Sequence, residues 1–153
     1  MWVFGSATPL SADAERALFA LVDGFLAQWA AHGAPLLSGR DWREHQFLTI
    51  AVDTSHEHAS GCSIDGLFRL LQRFDAEWGT SLVGGGRVSY RAPAGEIVTL
   101  TRGDLDAAIG AGAITRDTPV FDTTVPTLDA WRTGFEVPAH QTWVGGLLPQ
   151  PAR

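Results

Sequence analysis

The sequence contains no lysine, because all eleven of its basic residues are arginine. Schiff-base enzymes, phosphate-loop hydrolases and protein kinases each need a lysine side chain in the active site. The composition therefore excludes these three mechanisms. The arginines form no cluster and the net charge is −6, whereas nucleic acids and anionic membranes attract a basic face. We expect neither as a partner.

The sequence also has only one cysteine, Cys62. A single cysteine forms no internal disulfide, so nothing in the chain indicates an oxidising compartment. Residues 1–5 lack the basic region of a signal peptide. The longest apolar stretch, residues 17–37, is interrupted by polar side chains and is not a membrane span. We therefore expect a cytoplasmic protein.

Apolar residues make up 45% of the chain, and their spacing predicts two long amphipathic helices. The first begins after Ser11, a good helix N-cap, and its apolar stripe continues to Trp29, with Gly33 as the stop. The second runs from about residue 63 to residue 78 and ends at Gly79. Each helix has one apolar stripe, so each is predicted to cover a sheet on one side only.

The remaining pattern predicts strands and shorter helices. Strands are predicted at residues 2–4, 46–53, 88–91 and 97–100, and shorter helices at residues 104–111 and 139–148. The element order β-α-β-α-β-β-α indicates an α+β fold, a two-layer sandwich in which a mixed β-sheet has the two long amphipathic helices on one face. We expect a single domain over residues 1–148 and a disordered, proline-rich tail over residues 149–153.

Three segments of the chain carry a family resemblance: residues 28–36, residues 51–53 with 59–65, and residues 138–139 with 142–143. The most specific part is Ser-Gly-Cys-Ser-Ile-Asp at residues 60–65. Together they resemble a family of short bacterial proteins of unknown function, some of which are labelled as ABC transporter ATPases. The resemblance covers nearly the whole chain and implies a shared fold and a site near Cys62, but no reaction.

The residues do not support ATP hydrolysis. A phosphate loop needs Gly-x4-Gly-Lys-Ser/Thr, and the triple glycine at residues 84–86 leads into a predicted strand rather than a helix N-terminus that would hold a phosphate. Further along, Leu105 with residues 109–114 and 117–120 resembles small GYF-like modules that bind peptides, although the aromatic residues of those modules are incomplete here.

The loop between the second strand and the second long helix concentrates groups that can do chemistry. In α/β architectures, ligand sites gather where strands end and helices begin. Cys62 lies within one turn of the predicted helix start, where unpaired backbone N–H groups and the helix dipole favour a thiolate. We predict Cys62 as the reactive group with His56 or His58 as its base, and further ligand contacts from Asp53, Ser60, Gly61, Ser63 and Asp65.

Other readings of the same loop stay open. Cys62 would be inert if it packs as a small buried apolar side chain. A metal site could use His56, His58 and Cys62 with Asp53, Asp65 or His45, but this spacing matches no standard zinc signature. The pattern calls for no metal and no cofactor.

His32 is a second candidate base for Cys62. In a β-α-β unit, however, the end of the first helix and the end of the next strand lie at opposite edges of the sheet. We therefore expect His32 to cap the carbonyls of its own helix.

A different class of function also fits the composition. Six tryptophans are a high number for this length, and tryptophan is enriched at protein interfaces. Trp29 and Trp78 fall on helix stripes and are predicted to be core residues. The alternative to a small-molecule site is therefore a non-catalytic interaction module, or a homodimer, that uses exposed tryptophans and the loop-rich C-terminal third.

Overall fold

The computed structural model describes residues 1–149. They form two compact units, the first of which ends at Gly84 and the second of which begins at Gly85. The α+β class is confirmed, because four α-helices combine with antiparallel sheets in the described part of the chain. The tail predicted over residues 149–153 lies, from residue 150 onward, outside the described residues. The single-domain assignment stays a prediction.

The first unit contains two long helices and five strands. Its elements are β1 (Trp2–Gly5), α1 (Ala12–Leu26), β2 (Ala30–Ala31), β3 (Ala34–Pro35), β4 (Ser38–Arg43), β5 (Phe47–Val52) and α2 (Gly61–Trp78). A three-stranded sheet has the order β1-β5-β4, and β2 with β3 forms a separate two-stranded hairpin.

The prediction of a mixed sheet is wrong, because every strand pair among residues 1–149 is antiparallel. The prediction treated α1 as a direct crossover between β1 and β5, which would make the two strands parallel. Instead β4 intervenes and forms a hairpin with β5. β5 therefore runs antiparallel to β1, with Trp2 opposite Ile50.

Helix α1 begins where the sequence predicts and ends earlier. The Ser11 side chain accepts a hydrogen bond from the Ala14 N–H at 3.2 Å, as an N-cap should. The helix stops at Leu26, so Trp29 and Gly33 belong to the following hairpin. Trp29 is buried although it lies after the helix, so the apolar spacing in the sequence continues past the helix end.

Helix α2 matches its prediction at both ends within two residues. It ends at Gly79, whose φ of 64° is the left-handed conformation that glycine adopts without strain. Trp78, predicted as core, is instead 39% exposed. The buried side chains of both helices and of the sheet form one apolar core, which includes Phe4, Leu18, Val22, Leu48, Ile50, Leu67, Leu71 and Phe74.

The second unit is built around a four-stranded antiparallel sheet of order β7-β6-β8-β9. Its elements are β6 (Arg87–Arg91), β7 (Ile97–Thr101), α3 (Arg102–Gly110), β8 (Pro119–Phe121), α4 (Leu128–Gly134) and β9 (Glu136–Pro138). The predicted hairpin of β6 and β7 is confirmed. Two 3₁₀ helices, Ala139–Gln141 and Trp143–Leu147, replace the predicted last helix. The core of this unit includes Val88, Tyr90, Leu105, Ile114, Val120 and Val144.

The Glu15 carboxylate joins α1 to the β4–β5 hairpin. It accepts hydrogen bonds from Trp42 Nε1 at 2.9 Å and from His45 Nδ1 at 2.7 Å, and its side chain is 16% exposed. Burial raises the pKa of Glu15, but the hydrogen bonds from Trp42 and His45, together with the positive charge on His45, lower this pKa on balance.

The lowered pKa of Glu15 predicts a loss of stability in acid. A carboxyl group whose pKa is lower in the folded state stabilises the fold above its ordinary pKa of 4.5, and this contribution is lost as the pH falls through the folded value. Glu15→Gln should lower the free energy of unfolding by about 1 kcal/mol at pH 7. The difference from wild type should shrink below pH 4.5.

Urea denaturation at several pH values measures this effect. Glu77→Gln, an exposed position on α2, is the control for removing one carboxylate charge. A Glu15→Gln difference that stays constant from neutral to acid pH would contradict the account.

Candidate functional site

The start of α2 is fixed by two serines. The Ser60 Oγ accepts a hydrogen bond from the Ser63 N–H at 3.3 Å, and the Ser63 hydroxyl donates to the Ser60 carbonyl at 2.9 Å. The helix therefore begins at Gly61. The amides of Gly61 and Cys62 precede the first intrahelical hydrogen bond, from Ile64 N–H to the Ser60 carbonyl. Such amides are available to an anion.

Cys62 is exposed, so it is not the buried apolar side chain that the sequence left open. It occupies the first turn of an 18-residue helix that has no acidic residue in that turn. The positive end of the helix dipole is therefore not offset by a carboxylate in the helix's own first turn. A helix start of this kind favours a bound anion.

The β2–β3 hairpin lies beside this helix start. Its two turn residues, His32 and Gly33, have φ values of 52° and 81°, as a two-residue type I′ turn requires. The indole N–H of Trp29 donates to the Ser63 carbonyl at 3.0 Å. Trp29 is 4% exposed and its ring contacts Phe25 and Trp2, with centroids 5.4 and 5.9 Å away. The hairpin is thus attached to both the core and the first turn of α2.

An open hollow of about 750 Å³ lies between the hairpin and the helix start. We call it the α2 hollow, and it is lined by Ala30, His32, Ser60, Gly61, Cys62 and Ser63. A Cβ atom added at Gly61 would meet no atom within 4 Å, so this part of the lining is open. The hollow is large enough for a small ligand.

The expected separation of His32 from Cys62 is wrong, because both residues line the α2 hollow. Since β5 is antiparallel to β1, the end of β5 lies beside Trp2, and Trp2 in turn contacts Trp29. The end of α1 and the end of β5 therefore meet at the same edge of the sheet. The sequence did contain a signal for this hairpin, because His32-Gly33 between two alanines suits a tight two-residue turn.

The predicted site residues fall into two groups. Ser60, Gly61, Cys62 and Ser63 are brought together in the α2 hollow, whereas Asp53, His56, His58 and Asp65 are exposed and, within the described chain, do not belong to its lining.

Asp53 has a local structural role. Its carboxylate accepts a hydrogen bond from the Ser55 N–H at 2.9 Å. The hydrogen bonds from Ser55, with a smaller effect of the His56 charge, lower the pKa of Asp53. The carboxylate thus stabilises a turn at the end of β5.

The metal-site alternative gains no support from the geometry. Among residues 1–149, no three His, Cys, Asp or Glu side chains come close enough to hold a metal ion together. His56, His58 and Cys62 therefore do not form the proposed ligand set in this conformation.

Comparisons with known proteins supply no family assignment. No protein-family model matches the chain, and no match is found among curated proteins or among solved structures. The family resemblance described above stays a prediction. In the described residues, no helix combines the length and the apolar character needed to cross a membrane.

The Trp29 hydrogen bond to Ser63 predicts a specific substitution effect. Trp29→Phe keeps an aromatic ring in the core but removes the N–H donor, which should lower the free energy of unfolding by about 1 kcal/mol. Urea denaturation measures this loss.

Trp78→Phe is the matched control, because the Trp78 ring is 39% exposed and stacks on Phe74. This control should change stability less than Trp29→Phe. Equal losses for the two variants would show that the indole N–H of Trp29 contributes nothing beyond ring size.

Proposed function

We propose that this protein binds a small anionic molecule in the α2 hollow, with the Cys62 thiol in contact with the ligand. The observation that carries the proposal is the shared lining. One open hollow is lined by the exposed Cys62, by the first residues of a helix and by His32.

The ligand's charge follows from the groups that face the hollow. Two backbone N–H donors at a helix start favour a phosphate, a sulfate or a carboxylate. The imidazole of His32 adds a donor, and a positive charge when it is protonated. Carboxylate side chains are missing from the lining among the residues that the structure describes, so an anion meets no direct repulsion there.

His32 replaces His56 and His58 as the histidine that we assign to the site. Its turn holds the residue in a left-handed backbone conformation beside the helix start. The two-residue turn accounts for this backbone conformation, and the loop histidines stay the competing assignment.

A bound anion would lie beside Cys62 at the helix start and would repel the thiolate, which is the form that alkylating agents attack. Anion binding should therefore protect Cys62 from alkylation. Because the chain has a single cysteine, the alkylation rate reports on this site alone.

The experiment measures the rate at which iodoacetamide alkylates the folded protein at pH 7, with and without inorganic phosphate at matched ionic strength. We expect phosphate to slow the reaction saturably by about fivefold, which corresponds to about 1 kcal/mol of interaction at the helix start. His32→Asn should weaken the protection, since asparagine tolerates positive φ but lacks the imidazole.

The controls separate the candidate histidines. His56→Asn and His58→Asn should leave the phosphate effect unchanged. If the loop variants abolish protection and His32→Asn does not, the assignment of His32 is wrong. A rate that does not respond to phosphate at all would overturn the binding proposal.

Two finer expectations stay part of this proposal. One is the two-layer packing of the sheet against the two long helices. The other is the alternative function as an interaction module or homodimer, which gains support from Trp78 and Trp143, exposed by 39% and 41% in their separate units. Light scattering over a range of concentrations distinguishes a dimer from a monomer.

A further inference from the structure

A second hollow, of about 530 Å³, lies within the C-terminal unit. We call it the arginine–tryptophan hollow, and it is lined by Gly86, Arg87, Arg102, Thr123, Thr124 and Trp143. It lies entirely outside the α2 hollow and shares no residue with it. Two guanidinium groups in one concave site stand out in a chain whose net charge is −6.

The two arginines are brought together by the β6–β7 hairpin. Arg87 begins β6 and pairs with Thr101, the last residue of β7. Arg102 follows directly as the first residue of α3, and its backbone N–H donates to the Gly86 carbonyl at 2.9 Å. The end of one hairpin therefore sets the positions of both arginine side chains.

Trp143 supplies a flat apolar wall. Its ring is 41% exposed, and the Arg102 guanidinium lies over it at 5.2 Å from the ring centre. The 3₁₀ helix that begins at Trp143 is held tightly, because Val144 is fully buried. A Cβ at Gly145 would come within 2.8 Å of the His140 carbonyl oxygen. The tryptophan ring is thus presented from a rigid segment.

The opposite part of the lining carries hydroxyl groups. The Asp122 carboxylate accepts hydrogen bonds from both the backbone N–H and the hydroxyl of Thr124, at 2.9 and 2.5 Å. This turn fixes Thr123 and Thr124 at the hollow. In the same unit, the Asp104 carboxylate accepts a hydrogen bond from the Thr101 hydroxyl at 2.5 Å. Neither carboxylate is part of the lining.

We propose that the arginine–tryptophan hollow binds a small ligand in which a planar aromatic ring is attached to an anionic group. The ring would pack against the exposed part of Trp143, beside the Arg102 guanidinium. The anionic group would accept hydrogen bonds from the Arg102 guanidinium and from the Thr123 hydroxyl, and the charge of Arg87 lies in the same lining. Charge-assisted hydrogen bonds to arginine are the strong ones for carboxylates and phosphates.

Two kinds of molecule share this chemistry, a nucleoside monophosphate and an aromatic carboxylate. Adenosine monophosphate and benzoate are therefore the two probes, and isothermal titration of the full chain measures their binding. Adenosine tests the ring without the anion, and inorganic phosphate tests the anion without the ring. We expect at least one of the two probes to bind more tightly than adenosine and phosphate do.

Variants locate the binding. Arg102→Gln and Trp143→Leu should each weaken the binding of that probe about tenfold, as expected when a charged hydrogen bond or a stacking surface is lost. Arg116→Gln, at an exposed arginine of the same unit outside the lining, is the matched control and should bind normally. Circular dichroism verifies that each variant is folded.

The titrations of the probes and variants can either support or overturn ligand binding in the arginine–tryptophan hollow. Binding by adenosine monophosphate or by benzoate, lost in Arg102→Gln and Trp143→Leu and kept in Arg116→Gln, supports it and identifies the source of the ligand. The proposal is overturned if neither probe binds, or if the lining variants behave like the control. Because the α2 hollow is unchanged in these variants, any probe or phosphate binding that persists in them belongs to that hollow and does not support this proposal.

Discussion

One hydrogen bond, from the Trp29 indole to the Ser63 carbonyl, joins the hairpin of residues 30–35 to the first turn of α2. The α2 hollow depends on this contact and on the packing of the Trp29 ring against Phe25 and Trp2. The hairpin alone would present an exposed His32, and the helix alone would present an exposed thiol beside free amides. Only the attachment of one to the other makes a concave site from residues about thirty positions apart in the chain.

Antiparallel pairing of the sheet makes that attachment possible. β5 is flanked by β1 and β4 and runs opposite to both. The chain therefore leaves α1 and leaves β5 at the same edge, next to Trp2. A parallel arrangement would have separated the two ends by the length of a strand. The direction of one strand thus brings His32 and Cys62 to the same hollow.

Sequence periodicity predicted the long elements well and the short ones poorly. Helix α2 was located to within two residues at each end because its apolar stripe is continuous and Gly79 ends it. Strand β4 was missed because Ser38–Arg43 is mostly polar, and some of its side chains pair with residues that sequence spacing does not reveal. Arg40, for example, pairs with Asp23 at 2.6 and 2.8 Å.

The same contrast between long and short elements explains why only part of the candidate site was predicted. Ser60 and Cys62 lie on an element whose start can be read from capping preferences. The sequence pattern placed His32 at a helix end, whereas it lies in a two-residue turn. Its position beside α2 depends on a side-chain contact of Trp29. Such contacts between distant residues leave no periodic signal in the chain.

The central claim is that His32 and Cys62 share one hollow, and a nitroxide label on the single cysteine tests it by nuclear magnetic resonance. The label should broaden the amide signals of residues 31–33 as strongly as those next to it in α2. Residues at the β4–β5 turn, such as Glu44, lie about 20 Å away along the strand and should be affected far less. Full-intensity signals at His32 and Gly33 would contradict the account.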